Sequence, residues 1–202
     1  MRYANYEEEI RAELQEEFPD LGDKDPTDLL PAVLTRPECQ QLIDFYKLPK
    51  DLRNHLVIRV LYASGLRIGE LAALQYCDID YVRRVVFVRL GKGEKDRYVC
   101  IDAATTELLK QFQGEQPITE KIFKITDRQL RRIVEKAGTE TGIAEKYEAM
   151  GRVFSPHSFR HAFATHCYEN GIRIFSLKKL LGHEYSGTTE IYVRTAVNYE
   201  IL

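Results

Sequence analysis

Val85-Val86-Phe87-Val88-Arg89-Leu90-Gly91-Lys92-Gly93-Glu94-Lys95-Asp96-Arg97-Tyr98-Val99-Cys100-Ile101 is the stretch on which the reading of the fold turns. Its two ends are runs of β-branched and aromatic residues, while its middle is polar and carries two glycines. That pattern predicts a β-hairpin with Lys92 at its tip or shoulder. Asp78 to Tyr81 adds a third short strand just ahead of it. The rest of the chain reads as helix, so the expected class is mainly α with a small antiparallel β-sheet, an α+β fold.

Upstream, Thr35-Arg36-Pro37-Glu38 is a capping-box pattern with proline just inside, which predicts a helix from about Arg36 to Tyr46. A second helix covers Lys50 to Ala63, with Leu52, Leu56, Ile58 and Val60 facing inward. Gly65 then allows a sharp turn, and Arg67 opens a helix reaching about Leu74. Downstream, helices are expected over about 102–113, 126–137, 155–170, 173–182 and 186–194. At the other end, Tyr6, Ile10, Leu14 and Phe18 recur every four residues, a short amphipathic helix with an acidic outer face. Gly22-Asp23-Lys24-Asp25-Pro26 breaks it and reads as a linker. The expected division is therefore an acidic helix and linker over 1–34 and one folded unit over 35–202.

Charge follows the same division. Residues 1–31 carry ten acids against Arg2, Arg11 and Lys24, a net −7 within an overall −2. The other 171 residues hold 26 basic and 21 acidic side chains, a net +5. A weakly basic body can bind phosphate locally, but composition alone does not point to nucleic acid. No apolar run approaches the roughly 20 residues of a membrane span, and no basic-then-apolar start resembles a secretory signal. The expectation is a cytosolic chain with Cys39, Cys77, Cys100 and Cys167 as reduced, partly buried thiols.

Five short motifs carry residues suited to phosphate chemistry: Gly65-Leu66-Arg67-Ile68-Gly69-Glu70-Leu71, Gly91-Lys92-Gly93, His157-Ser158-Phe159-Arg160, Leu181-Gly182-His183 and Ile191-Tyr192. Guanidinium forks, imidazoles and an ammonium can grip a phosphodiester and stabilise extra negative charge on it. A phenol beside them can attack phosphorus. Ser155 and Pro156 start a helix, so His157 lies in its first turn, near the positive end. Helical spacing puts His157, Arg160, His161 and Ala164 on one face. Phe159, Ala162, Phe163 and His166 fall on the opposite, core side.

Each motif alone also has an ordinary reading. The His157 face is equally well a solvated polar face, and Arg67 with Glu70 three residues on is equally a surface ion pair. Glycine-flanked lysines such as Lys92 are common in polar turns. Tyr192 is one of twelve tyrosines, and half-buried packing is the usual role. His157 and His161 have zinc-binding spacing, but Arg160 between them repels a cation and the glutamate of His-Glu-x-x-His is lacking. No metal site and no cofactor are expected. His55 and His166 read as structural.

Taken in order, residues 65–71, 91–97, 155–166, 178–183 and 188–192 resemble the motifs of the tyrosine recombinases, the phage integrase and Xer family. The resemblance covers about residues 35–195 and implies the fold of that family's catalytic domain. It implies Tyr192 as the nucleophile that becomes joined to a DNA 3′ phosphate. Arg67 and Arg160 would hold the non-bridging oxygens, and Lys92 would protonate the departing 5′ oxygen. His157 would assist proton transfer, His183 would stabilise the phosphate, and Glu70 matches the family's frequent acidic supporting position. The implied partner is double-stranded DNA, bound by a homo-tetramer whose subunits are monomers in solution. Its setting is cytoplasmic and nucleoid-associated, with no membrane contact.

Residues 1–34 are too short and too acidic for the helical domain that closes the clamp around DNA in relatives. Two alternatives stay open on these residues. One is a non-catalytic DNA-binding accessory factor or regulator with the same fold. The other is type IB topoisomerase-like nicking without strand exchange.

Overall fold

A computed structural model describes residues 33–89, 96–172 and 174–181. The expected acidic helix and linker at the N-terminus, and the expected helix over 186–194, lie outside the described residues. Among them the helices are α1 (Arg36–Phe45), α2 (Leu52–Ser64), α3 (Ile68–Ala73), α4 (Ala103–Gln113), α5 (Asp127–Glu140), α6 (Ile143–Glu148), α7 (Pro156–Glu169) and α8 (Ile174–Leu181). The strands are β1 (Ile79–Asp80), β2 (Val85–Val88) and β3 (Arg97–Cys100), antiparallel in the order β1-β2-β3. This is the mainly helical fold with a small antiparallel sheet that periodicity predicts.

Helix α2 is the centre. From His55 to Ser64 only Arg59 escapes burial, so this part of the helix must be surrounded, while its first turn exposes Arg53. It packs against α1, α4, α5 and α7. Its two basic side chains in that stretch have local partners, although the buried Nε2 of His55 has none among the described residues. Arg59 pairs with Asp102 at 3.1 Å, and the His55 imidazole meets the Tyr46 carbonyl at 3.1 Å. Burial first, and the Arg59 charge besides, lower the His55 pKa against the Tyr46 contact. The structural reading of this histidine holds.

The sheet follows strict alternation. Val86 faces Val99 and Val88 faces Arg97 in register, and all four side chains are buried. Arg97 is thus a charge at an inward position of an edge strand. That position places it against the helices that carry the candidate site.

Two elements were not expected from periodicity: the 3-10 turn Tyr76–Asp78 and α6. Gly142, at φ 72°, stops α5 in a left-handed conformation and lets the chain start again at once. Ile143 and Tyr147, one turn apart, are the buried face of α6. That i, i+4 apolar pair just after a glycine is the signal that would have found it. All four cysteines are free; Cys39 and Cys167 are buried, Cys100 is intermediate and Cys77 is exposed. Among the described residues no helix is long and apolar enough to cross a membrane.

Candidate phosphodiester-binding site

The turn between α2 and α3 is set by Gly65. Its φ of 61° is left-handed, and a Cβ there would stand 2.5 Å from Cδ1 of Phe163 on α7. Only glycine meets both demands without a shift. The chain leaves this turn with Arg67 extended, capping α3. The Arg67 N–H donates to Glu70 at 2.8 Å, and its guanidinium lies 3.5 Å from the same carboxylate.

Arg160 requires a correction. Helical spacing put it on an outward face with His157 and His161, yet its exposure is 4%. The reason is tertiary: that side of α7 is covered by the Gly65 turn and by the end of α8. The guanidinium donates to the Gly65 carbonyl at 3.0 Å and to the Leu181 carbonyl at 2.5 Å. His157 and His161 are half-buried, and Phe159, Ala162, Phe163 and His166 are buried as expected. His166 is structural, meeting the Tyr62 hydroxyl at 2.9 Å.

Glu70 also has a second role. Its strongest partner is Arg97, whose two terminal nitrogens reach the two carboxylate oxygens at 2.8 and 2.7 Å. The Arg97 Nε donates to the Leu180 carbonyl at 2.9 Å. Burial pushes the Glu70 carboxyl up, but it is outweighed. The Arg97 fork, the Arg67 N–H and the Arg160 charge hold it below the ordinary carboxylate value. Arg97 had no place among the candidates, although it sits inside the quoted Gly91 to Arg97 motif. The usable signal was an arginine in an alternating strand, at a position where the partner strand offers an inward valine.

Arg67 and Arg97 therefore meet at one carboxylate, from the α2–α3 turn and β3, while Arg160 on α7 bonds the carbonyl of Gly65 in that same turn. Arg97 and Arg160 hold the consecutive carbonyls of Leu180 and Leu181, at the end of α8. Of the three, Arg67 has the exposed guanidinium, at 29% for its side chain, and a guanidinium fork suits an oxyanion with several acceptor oxygens such as a phosphodiester. Lys92, His183 and Tyr192 lie outside the described residues. The strands on either side of Lys92 form the expected hairpin, and α8 ends two residues before His183. Among the described residues no group of three or more histidine, cysteine or acidic side chains is placed to hold a metal ion.

Comparisons with known proteins bear on the family and the fold. The phage integrase family profile matches residues 32–198. Tyrosine recombinase XerA of Thermococcus onnurineus is 36% identical over 171 residues, covering 84% of this chain and 60% of the relative. Tyrosine recombinase XerC of Halalkalibacterium halodurans is 32% identical over 182 residues, covering 81% and 57%. The crystal structure of XerA recombinase superposes with a TM-score of 0.67 at 26% identity, covering 91% of this chain and 69% of that one. The chain spans about 60% of the length of these two curated relatives. It belongs to the phage integrase family, with the fold of a tyrosine recombinase catalytic domain.

Proposed function

We propose that this chain is the strand-cleaving part of a site-specific DNA recombinase or integrase, acting on double-stranded DNA. The Tyr192 oxygen forms a bond to the scissile phosphorus as the bond from phosphorus to the 5′ oxygen breaks. His157 accepts the tyrosine proton, and Lys92 supplies a proton to the departing 5′ oxygen. Arg67, Arg160 and His183 stabilise the charge on the pentacoordinate phosphorus. Attack by a 5′ hydroxyl on the phosphotyrosine link reverses the step and rejoins strands. Four copies assemble on DNA from monomers in solution, in the cytoplasm beside the nucleoid. The division of the sequence is an acidic segment over 1–34 and the catalytic unit over 35–202.

The observation that carries this reading is the bond from Arg160 to the Gly65 carbonyl, in the turn that presents Arg67, which joins two motifs more than ninety residues apart. The test uses a pool of randomised DNA duplexes, each nicked in one strand so that cleavage traps the protein. Wild type forms a covalent adduct resistant to detergent, with or without EDTA, and Tyr192→Phe forms none. A shifted band in a native gel without any adduct from wild type would favour the regulator reading instead. Plasmid relaxation without joining between two duplexes would favour the topoisomerase-like reading. Loss of the adduct in EDTA would refute the metal-free assignment.

A further inference from the structure

The outward face of α5 carries Arg128, Arg131, Arg132 and Lys136, all exposed and none of them ion-paired among the described residues. Glu135 stands among them and leaves a net +3. Arg128 and Arg132, and Arg132 and Lys136, are four apart, a spacing at which like charges destabilise a helix. The helix starts beside α3, where Asp127 lies against Gly69. Its far end meets α1 and α6: the Gln41 amide donates to the Thr141 carbonyl at 3.4 Å, and α6 follows directly. The described chain begins beside α6, with the Val33 carbonyl accepting from the Tyr147 hydroxyl at 2.7 Å.

The sequence upstream of Val33 supplies the counter-charge. Residues 7–20 hold seven acids against Arg11, a net −6. Glu9, Glu13, Glu16 and Asp20 recur every three or four residues, the interval of Arg128, Arg132 and Lys136, and like charges so spaced repel one another. The twelve residues 21–32 span up to about 40 Å when extended, against about 21 Å for the 14 residues of α5. A tether that reaches holds its acids at an effective concentration on the order of millimolar, which favours this segment over an acidic partner free in solution. We propose that residues 7–20 dock along the outward face of α5 in their own chain, and that DNA must displace them to reach it. The displacement rests on the DNA-binding reading above; the docking does not.

The experiment joins carboxylates to lysines in the full chain with a zero-length carbodiimide and identifies the products by mass. Lys136 should be joined to acids of residues 7–20, with the Lys136–Glu140 product, from neighbours on one helix, as internal reference. Salt at 1 M, where the screening length is about 3 Å, should abolish the long-range product and leave the reference. Arg131→Glu with Arg132→Glu, both exposed, should lower it by about tenfold, the summed effect of reversing two surface ion pairs. Thermal melting checks that this variant folds, and the salt arm needs no variant. No such product from wild type, or a product indifferent to salt, overturns the docking. So does an equal yield at the exposed Lys110 on α4, which reports attraction by net charge alone. Products that combine isotope-labelled with unlabelled chains would make the occupant a second copy and overturn docking within one chain. A saturating DNA duplex of mixed sequence should remove the product; its persistence while the duplex shifts in a gel overturns the displacement. A chain that gives the product and shifts no duplex defeats the DNA-binding reading and supports the docking.

Discussion

Arg160 donates to the carbonyl of Gly65 at 3.0 Å, across 95 residues of sequence. One arginine thereby seats α7 on the turn that presents Arg67. The ring of Phe163, one turn further along α7, lies where a side chain on the same glycine would stand. The pair links the catalytic assignment to stability, and the first prediction separates the two.

Arg160→Ala leaves the Gly65 and Leu181 carbonyls without their donor in a buried setting. That costs about 1–3 kcal/mol for each buried acceptor it strands. Adduct formation falls further, by about a hundredfold to a thousandfold, as for loss of a preoriented donor to a developing oxyanion. Denaturant unfolding and single-turnover cleavage measure the two losses. Unchanged cleavage by a folded Arg160→Ala would remove Arg160 from the site.

Gly65→Ala places a Cβ in a left-handed conformation and against the Phe163 ring. Strain alone is worth about 1–3 kcal/mol, and the clash adds to it. The turn should shift, moving Arg67 and slowing cleavage more than DNA binding. A variant with wild-type melting temperature and wild-type cleavage would show that the turn tolerates a side chain.

Glu38 tests a different part of the fold. It accepts from Lys146 at 2.6 Å, from the Tyr147 hydroxyl at 2.8 Å and from the Thr35 N–H at 2.8 Å, clasping α1 to α6. Burial pushes its carboxyl up, but these partners outweigh it and hold the pKa down at about 2, from an ordinary 4.5. A depressed carboxylate pKa stabilises the fold above the unfolded value and loses that contribution as pH falls. Glu38→Gln should therefore be less stable than wild type at pH 7, by about 1–3 kcal/mol. The gap should close between about pH 4.5 and pH 2. Unfolding curves across that range decide it; a gap independent of pH would contradict the assignment.

His166 predicts a second pH window with the same direction and another cause. Burial, and then the Arg36 charge, lower its pKa from 6.5 to about 4, against the Leu34 backbone contact that raises it. The unfolded chain binds a proton there that the fold refuses, so stability drops as pH falls from about 6.5 to about 4. The double variant Tyr62→Phe with His166→Leu removes both buried polar partners together. Its unfolding midpoint should vary less across that window than the wild-type midpoint does. An equally steep dependence would place the titrating group elsewhere.

The hairpin, the central apolar helix and most helix boundaries were legible because they rest on periodicities of two and 3.6, which are local. Arg67, Glu70 and His157 were legible as candidates because helix starts and glycine turns are also local. Arg160 was legible as a residue but not as an environment. Its own helix predicts an outward face, and only the packing of α8 and the Gly65 turn buries it. Arg97 was legible only as an arginine at an inward position of a strand, and not by its partners. Its importance lies in a carboxylate 27 positions away and a carbonyl 83 positions away. The sequence by itself determined the class of fold, the order of its elements and the residue types needed to hold a phosphodiester. Tertiary structure alone decided which arginine pairs with Glu70 and which carbonyls are gripped. Those contacts join segments distant in the chain, and no local pattern encodes the distance between them.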